Sequence, residues 1–365
     1  MRTASVLAAV VLVGAAALVA TPASAAPPLT CGETVTVSRA LTTDLACPGP
    51  EPALTLAAGV TLNLKGHRVT GPGTGVGILL PQDGDVVIRN GTLAGWGRGI
   101  ATGGPGEEPR SGTVTVERLR FTASTVGIDA SGVLPFSGGK FTIVNRSRFE
   151  HVSTGIDAGW FADVEVTDST FVDSGTGIEV DTSVAEVWGS RFTRTSTAID
   201  VVEGEARVHD STFTDNEAGV RVYFMGGATI DGSTLRGNGV AVSVYGYVHV
   251  DLTGNTFSMN TAALDFGTVN GTITGNTFRR NGSGLHGTDF SPDGLVVQDN
   301  VLTRNGDAIV FDAADANTSL GGNTATRNSG WGINAPGVTD LGGYTASRNG
   351  TSPQCVGVNC GSPHS

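Results

Sequence analysis

The chain repeats itself, and the period of this repeat is the feature that most limits its fold. From about residue 77 onward, a Gly or Ala followed by an aliphatic residue recurs every 21 to 28 residues. A period of this length is typical of solenoids, in which each unit stacks on the next because it cannot bury its apolar face alone. The repeated aliphatic positions are Ile78, Ile100, Ile128, Ile156, Ile178, Ile199, Val220, Val242, Leu264, Leu285, Ile309 and Ile333.

Two further apolar columns keep the same register. The second column consists of Ile88, Val116, Val144, Val166, Val187, Val208, Ile230, Leu252, Ile273, Val297, Leu320 and Leu341. The third is rich in phenylalanine and consists of Leu93, Phe121, Phe149, Phe171, Phe192, Phe213, Leu235, Phe257, Phe278, Leu302, Ala325 and Ala346. Around these positions, polar and apolar residues alternate over short runs, which predicts strands. The sequence therefore predicts an all-β solenoid of about 13 coils with parallel strands about 4.8 Å apart.

A polar column supports this register. An asparagine follows the third apolar column by three residues in successive units, at Asn216, Asn238, Asn260, Asn281, Asn305, Asn328 and Asn349. Side-chain amides stacked in this way can bond to one another along the rod. We expect a structural role for this column.

The two ends of the chain have their own features. Residues 1–25 have the charge, the apolar run and the Ala23-Ser24-Ala25 cleavage pattern of a secretory signal peptide. No later stretch is apolar enough to span a membrane. Four cysteines in an exported protein allow three disulfide pairings, and their clustering favours Cys31–Cys47 and Cys355–Cys360.

Units such as Gly219-Val220-Arg221-Val222 resemble the repeats of secreted right-handed parallel β-helix proteins of the pectin-lyase-like superfamily. The resemblance covers about residues 53 to 350 and implies a single-stranded right-handed parallel β-helix. It also implies an extracellular polysaccharide as partner, because many members act on such glycans. We expect residues 26–52 to cap one end of the helix, and residues 351–365 to form a disulfide loop and tail.

The residue after each first-column aliphatic is expected to point outward, because strand side chains alternate. This outward column reads Asp129, Asp157, Glu179, Asp200, Arg221, Ser243, Asp265 and His286. Four acids on successive coils repel one another, so they need a reason to be there. Carboxylates for glycoside chemistry are one reason, and a calcium ion shared by Asp157, Glu179 and Asp200 is a competing one. Ordinary acidic surface is the third.

Tyr223 and Tyr245 lie two residues further along neighbouring strands. Tyrosine rings stack on sugars, and arginine binds uronate carboxylates. We therefore predict a site in which Glu179, Asp200 and Arg221 carry any catalysis, with Glu179 or Asp200 as the general acid. Asp157, Tyr223 and Tyr245 are predicted to bind substrate.

The reaction stays open at this point. The N-T-D, D-D and R-I-K motifs of polygalacturonases are absent, and Gly284-Leu285-His286-Gly287 only approximates their G-H-G. A hydrolase, a lyase, a carbohydrate-binding module without chemistry and a structural or adhesin rod all fit. The net charge of -12 argues against nucleic acid as a partner, although Arg280, Arg304, Arg327 and Arg348 form a basic stripe that suits either a polyanionic glycan or solvent.

Overall fold

The computed structural model describes residues 27–49, 51–102, 112–131, 141–159, 162–288, 294–312 and 316–360. Within these ranges the chain coils into a parallel β-helix of about 13 turns, as predicted. The predicted signal peptide and the inserted segments Gly103–Arg110 and Gly132–Gly139 lie outside the described residues. Each turn contributes short strands to three parallel ladders, here called A, B and C in chain order.

Ladder A contains the first-column aliphatics. Its strands are Glu33–Val35, Leu54–Leu56, Val76–Leu79, Arg98–Ala101, Val126–Asp129, Thr154–Ala158, Thr176–Asp181, Thr197–Val202, Ala218–Tyr223, the first parts of Val240–Thr253 and Ala262–Thr274, then Ser283–Gly287, Asp307–Phe311, Ile333–Asn334 and Cys355–Val356.

Ladder B contains the second column. Its strands are Arg39–Ala40, Thr61–Asn63, the first parts of Val86–Ala94 and Thr113–Thr122, then Phe141–Asn145, Val164–Thr167, Val184–Trp188, Glu205–His209, Gly226–Asp231, the last parts of Val240–Thr253 and Ala262–Thr274, Leu295–Gln298, Thr318–Gly321 and Thr339–Asp340.

Ladder C contains the third column. Its strands are Leu45–Ala46, Arg68–Thr70, the last parts of Val86–Ala94 and Thr113–Thr122, then Arg148–Glu150, Thr170–Val172, Arg191–Thr193, Thr212–Thr214, Thr234–Arg236, Thr256–Ser258, Thr277–Arg279, Val301–Thr303, Thr324–Thr326 and Thr345–Ser347.

The predicted apolar columns fill the interior, with one exception. All positions of the first and third columns are buried, and the phenylalanines of neighbouring turns stack with ring centroids 4.6 to 4.9 Å apart. Leu341 is instead 49% exposed. The chain leaves ladder B after Asp340, and the buried Tyr344 takes the interior place, with its hydroxyl donating to the Leu320 carbonyl.

The asparagine column forms the predicted ladder. The Oδ1 of each asparagine after Asn216 accepts from the backbone N–H and the Nδ2 of the asparagine one turn before it, as Asn260 does from Asn238 at 2.8 and 3.0 Å. A second ladder at the corner between ladders B and C was not predicted. It continues through serines and asparagines at Ser147, Ser169, Ser190, Ser211, Ser233, Asn255, Asn276, Asn300 and Asn323.

Both ends of the described chain take part in strand pairing. Both local disulfides, Cys31–Cys47 and Cys355–Cys360, are present. Glu33–Val35 pairs with Leu54–Leu56, so the segment predicted as a separate cap already forms a turn of the helix. At the other end Cys355–Val356 pairs with Ile333–Asn334, which extends the ladders beyond residue 350.

Candidate functional site

The predicted acid column lies on the outward face of ladder A. Strand register pairs Asp129 with Asp157, Asp157 with Glu179, Glu179 with Asp200, and Asp200 with Arg221. Neighbouring strands of a parallel sheet are about 4.8 Å apart. Four carboxyl groups therefore follow one another on successive turns, as the sequence indicated.

Arginines neutralise the acids at both ends of this column. The Nη1 of Arg98 lies 2.9 Å from Oδ2 of Asp129. Arg221 binds Asp200 with two parallel hydrogen bonds, Nε to Oδ1 at 3.0 Å and Nη2 to Oδ2 at 2.5 Å. A bidentate pair is among the strongest ionic contacts in proteins. Because this ion pair engages both side chains, Asp200 is poorly placed to act as a general acid. For the same reason, Arg221 is poorly placed to bind a sugar acid.

Asp157 and Glu179 remain between these two ion pairs. No cation of the described residues pairs with either carboxyl group. Asp157 is half-buried and Glu179 is exposed. Burial, followed by the charges of Asp129, Glu179 and Asp181, raises the pKa of Asp157 to about 6. The acid of this column whose pKa is raised is therefore Asp157, which the sequence pattern had assigned to substrate binding.

This raised pKa makes the stability of the fold depend on pH. Because the folded chain holds the Asp157 proton more tightly than the unfolded chain does, the ionised carboxylate destabilises the fold above pH 6, and this loss is recovered as the pH falls towards 4. We expect Asp157→Asn to raise the free energy of unfolding at pH 8 by roughly 1 kcal/mol, after discounting for solvent screening of a half-buried group. Urea denaturation at pH 8 and pH 4 measures this, and the gain should vanish at pH 4. The exposed Glu217→Gln is the control, and an equal gain there would contradict the assignment.

The competing calcium prediction gains no support. Among the described residues, no group of three or more His, Cys, Asp or Glu side chains is arranged to hold a metal ion. Asp200 already uses both carboxylate oxygens on Arg221. A calcium ion shared by Asp157, Glu179 and Asp200 stays a prediction.

An aromatic ridge runs beside the acid column, at the corner between ladders A and B. We define it as Val202, Tyr223, Phe224, Met225, Tyr245 and Tyr247. Register places Tyr223 directly against Tyr245, as predicted, and the guanidinium carbon of Arg221 lies 5.4 Å from the centre of the Tyr223 ring. Phe224 is 63% exposed and Tyr247 is 70% exposed. The two most exposed aromatic residues were not among the predicted site residues.

The backbone of Phe224 has a left-handed conformation, which places this exposed side chain at the corner. Phe224 has φ +69° and occupies the corner position held one turn later by Gly246, at φ +105°. A left-handed conformation costs a residue with a side chain about 1–2 kcal/mol, and a bulky residue rarely adopts it. The Phe224 N–H still donates to the Tyr245 carbonyl at 3.0 Å. The fold therefore tolerates strain at a residue whose ring is directed into solvent.

A groove of about 690 Å³ lies at the same corner. Its lining residues are Phe141, Asp163, Thr182, Ser183, Val184, Glu203, Gly204, Glu205, Gly226, Gly227 and His249. A side chain at Gly226 would collide with the Gly204 carbonyl, so the close approach of these two turns requires glycine. Hydrogen bonds to Asn270 and then to Asp251 raise the pKa of His249, which lies at the edge of this groove, so its imidazole holds a proton more readily than a free histidine does.

The connections between ladders A and B are shorter beside the groove and the ridge than on several other turns. Ladders A and B are joined here by the two-residue connections 182–183, 203–204 and 224–225. Earlier turns use the longer connections 102–112 and 130–140, and later turns use 288–294 and 312–317. The groove and the ridge therefore lie at the turns where the connection between ladders A and B is shortest.

Ladder B adds a further aromatic group that the sequence pattern did not reveal. The Trp188 ring stacks on His209 with centroids 3.8 Å apart, and His209 Nδ1 lies 2.6 Å from Asp231 Oδ2. Trp188 is partly exposed and donates from Nε1 to Glu186 at 3.0 Å. The signal in the sequence was a Trp and a His at the same strand position of successive repeats.

Comparison with known proteins agrees with this architecture. Residues 197–349 match the family model described as the right-handed beta helix region. The predicted right-handed parallel β-helix is thus confirmed, and membership of the pectin-lyase-like superfamily is consistent with it. No curated protein matches the chain significantly.

One crystal structure with some likeness is that of PfbA, a surface adhesin of Streptococcus pneumoniae. The match covers 83% of this chain and 82% of that one, with 11% identity and a TM-score of 0.26. In the part of the chain that the structure describes, no helix is long and apolar enough to cross a membrane.

Proposed function

We propose that this right-handed β-helix protein binds an extended extracellular polysaccharide along the corner between ladders A and B. The observation that carries this proposal is the aromatic ridge beside an open polar groove. Aromatic rings exposed on a surface gain by covering the apolar faces of a ligand, while polar groups around them fix its orientation. A pyranose offers such apolar faces together with hydroxyl groups.

The ridge also suits a polymer better than a single sugar. Its aromatic members come from two successive turns, since Tyr223 and Phe224 precede Tyr245 and Tyr247 by one repeat. The groove beside it draws on several more turns, from Phe141 to His249. A chain of sugars laid along the axis of the rod would contact both features.

A second function, hydrolysis of the bound glycan, is favoured by the Asp157–Glu179 pair. Glycoside hydrolysis uses one protonated carboxylic acid and one ionised carboxylate. Asp157, with its pKa raised to about 6, suits the acid, and the exposed Glu179 on the next turn suits the nucleophile or base. Adjacent strands give a separation near that of retaining enzymes, in which the carboxyl groups are about 5 Å apart.

Hydrolysis is favoured over elimination by the state of Arg221. A lyase needs a base, and arginine is a poor one because it does not lose its proton readily. The hydrogen bonds that Arg221 donates to Asp200 raise the pKa of Arg221 further. A lyase that used Arg221 as its base therefore has little chemical support.

The extracellular location is part of the proposal. Two disulfides in one chain are typical of oxidising compartments. The predicted signal peptide points the same way, although it lies outside the described residues.

The binding proposal is tested by removing the ridge. We expect Phe224→Gly with Tyr247→Ala to weaken binding to a panel of neutral and uronate polysaccharides by roughly 100-fold, because each lost ring contact is worth about 1.4 kcal/mol or tenfold. Affinity electrophoresis measures this. Phe224→Gly also removes a strained conformation, so stability should stay within about 1 kcal/mol of the wild type.

Leu341→Ala is the matched control, since Leu341 is an exposed apolar side chain away from the ridge. It should bind like the wild type. Glycan binding that survives the ridge variant, or an equal loss in Leu341→Ala, would contradict the assignment of this corner.

A further inference from the structure

A second cleft lies on a different face of the rod, on ladder C and its corner with ladder A. It has a volume of about 280 Å³. Its lining residues are Arg236, Thr256, Ser258, Met259, Thr277, Arg279 and Arg280. The cleft shares none of its lining residues with the groove at the other corner.

The strand register explains its shape. Arg236 pairs with Ser258, and Ser258 pairs with Arg279, so two arginines lie on alternate turns with a small side chain between them. Two strand spacings put their backbones about 9.6 Å apart. The hydroxyl groups of Thr256 and Thr277 lie on the neighbouring outward column of the same ladder. The result is a shallow cleft, here called the cradle, with arginines on two sides and threonine and serine hydroxyl groups between them.

The cradle arginines lack acidic partners within the described residues, unlike most arginines elsewhere. Arg98, Arg194 and Arg221 each pair with an aspartate of a neighbouring turn. No carboxylate among the described residues lies within ion-pair distance of Arg236, Arg279 or Arg280. Although the chain has a net charge of -12, these three positive charges lie side by side with no carboxylate of the described residues to neutralise them.

The cationic surface continues from the cradle toward the C-terminal end. Arg280, Arg304, Arg327 and Arg348 occupy the same corner position of successive turns, each with φ near +60°. The backbone N–H groups of Arg280 and Arg304 donate to Thr303 and Thr326 in the next turn, which keeps the column in register. The stripe therefore presents regularly spaced positive charge along the axis of the rod.

We propose that this cradle is a binding site for the carboxylate of an acidic sugar, and that the stripe extends it to an acidic polysaccharide. Arginine matches a carboxylate with two parallel hydrogen bonds, and the threonine and serine hydroxyls suit the hydroxyl groups of the same sugar. The outward residues of ladder C around the cradle offer no aromatic ring to stack on bases. This makes single-stranded nucleic acid the poorer fit. The inference does not depend on the function proposed for the opposite corner.

The test uses the full chain with the Phe224→Gly and Tyr247→Ala changes, so that the ridge does not contribute. Polygalacturonate is the probe, and its methyl ester is the uncharged comparison. We expect Arg236→Gln with Arg279→Gln to weaken polygalacturonate binding about tenfold or more and to reduce its salt dependence. Binding of the ester should be weak in all variants.

The control is Arg68→Gln with Arg191→Gln, which removes the same charge from exposed arginines of ladder C outside the cradle. This variant should bind within about twofold of its parent. Equal losses in both double variants would show a diffuse charge effect and overturn the site. Equal binding of the ester, or tighter binding of dextran sulfate or an oligothymidylate than of polygalacturonate, would overturn the acidic-sugar assignment.

Discussion

Replacing Phe192 by alanine is expected to lower the free energy of unfolding by about 3–5 kcal/mol. Phe192 is fully buried and stacks on Phe171 and Phe213 of the turns on either side, with centroid distances of 4.7 and 4.9 Å. Its removal leaves a cavity and breaks two ring contacts, and the rigid turns above and below cannot close over the gap. Thermal and urea denaturation measure the loss.

Phe192→Leu is the matched variant, because it keeps most of the apolar volume and only removes the ring. Leu235 already occupies this column between Phe213 and Phe257 without distorting ladder C. We expect Phe192→Leu to cost about 1.5 kcal/mol or less. A cost equal to that of alanine would mean that ring stacking, and not filled volume, stabilises this column.

The same column of phenylalanines illustrates why the fold could be predicted from the sequence. Each turn must place an apolar side chain at the same interior position, so the spacing of Phe171, Phe192 and Phe213 in the chain reports their contact in space. The exception is instructive. Leu341 continues the sequence pattern but lies outside, because Asp340 and not Leu341 pairs with Leu320, and Tyr344 fills the interior. The spacing of residues predicts which position of the repeat a residue occupies. It does not predict whether the register of the repeat is kept at the end of the helix.

The candidate site could be predicted from the sequence only in part, for a related reason. The repeat predicts that Asp157, Glu179 and Asp200 share one outward column, and the register confirms it. It does not predict which of them an arginine neutralises, since this depends on the direction in which a long side chain lies. Arg221 turns toward Asp200, which leaves Asp157 as the carboxyl with the raised pKa.

Parts of the ridge and of the cradle were missed, for different reasons. Phe224 lies in the corner between two strands, and Tyr247 lies at the shift of register between Tyr245 and Val248, so strand alternation does not predict the direction of either side chain. The arginines of the basic stripe were recognised, but Arg236 and Arg279 come together only because both pair with Ser258, on the turn between them.

Under the proposed hydrolysis, Glu179→Gln is expected to lower the rate of glycan cleavage by a factor of about 100 to 10,000, since it removes the nucleophile or base while keeping the shape of the side chain. Asp157→Asn should cause a loss of similar size, because asparagine cannot donate a proton to the leaving oxygen. Release of reducing ends from the polysaccharides that bind the ridge measures the rate. The bound fraction should be unchanged in both variants, since neither residue belongs to the ridge.

The pH profile distinguishes proton donation by Asp157 from proton donation by a different acid. A general acid must be protonated, so the wild-type rate should fall about tenfold per pH unit once the pH exceeds about 6, the raised pKa of Asp157. Asp200→Asn is the informative control. It leaves Arg221 without its partner beside the column, and the added positive charge should lower the pKa of Asp157 and move the alkaline limb of the profile to lower pH. Cleavage that survives Glu179→Gln and Asp157→Asn would exclude this pair, whereas tight binding by the wild type with no cleavage would leave the corner as a glycan-binding surface without chemistry.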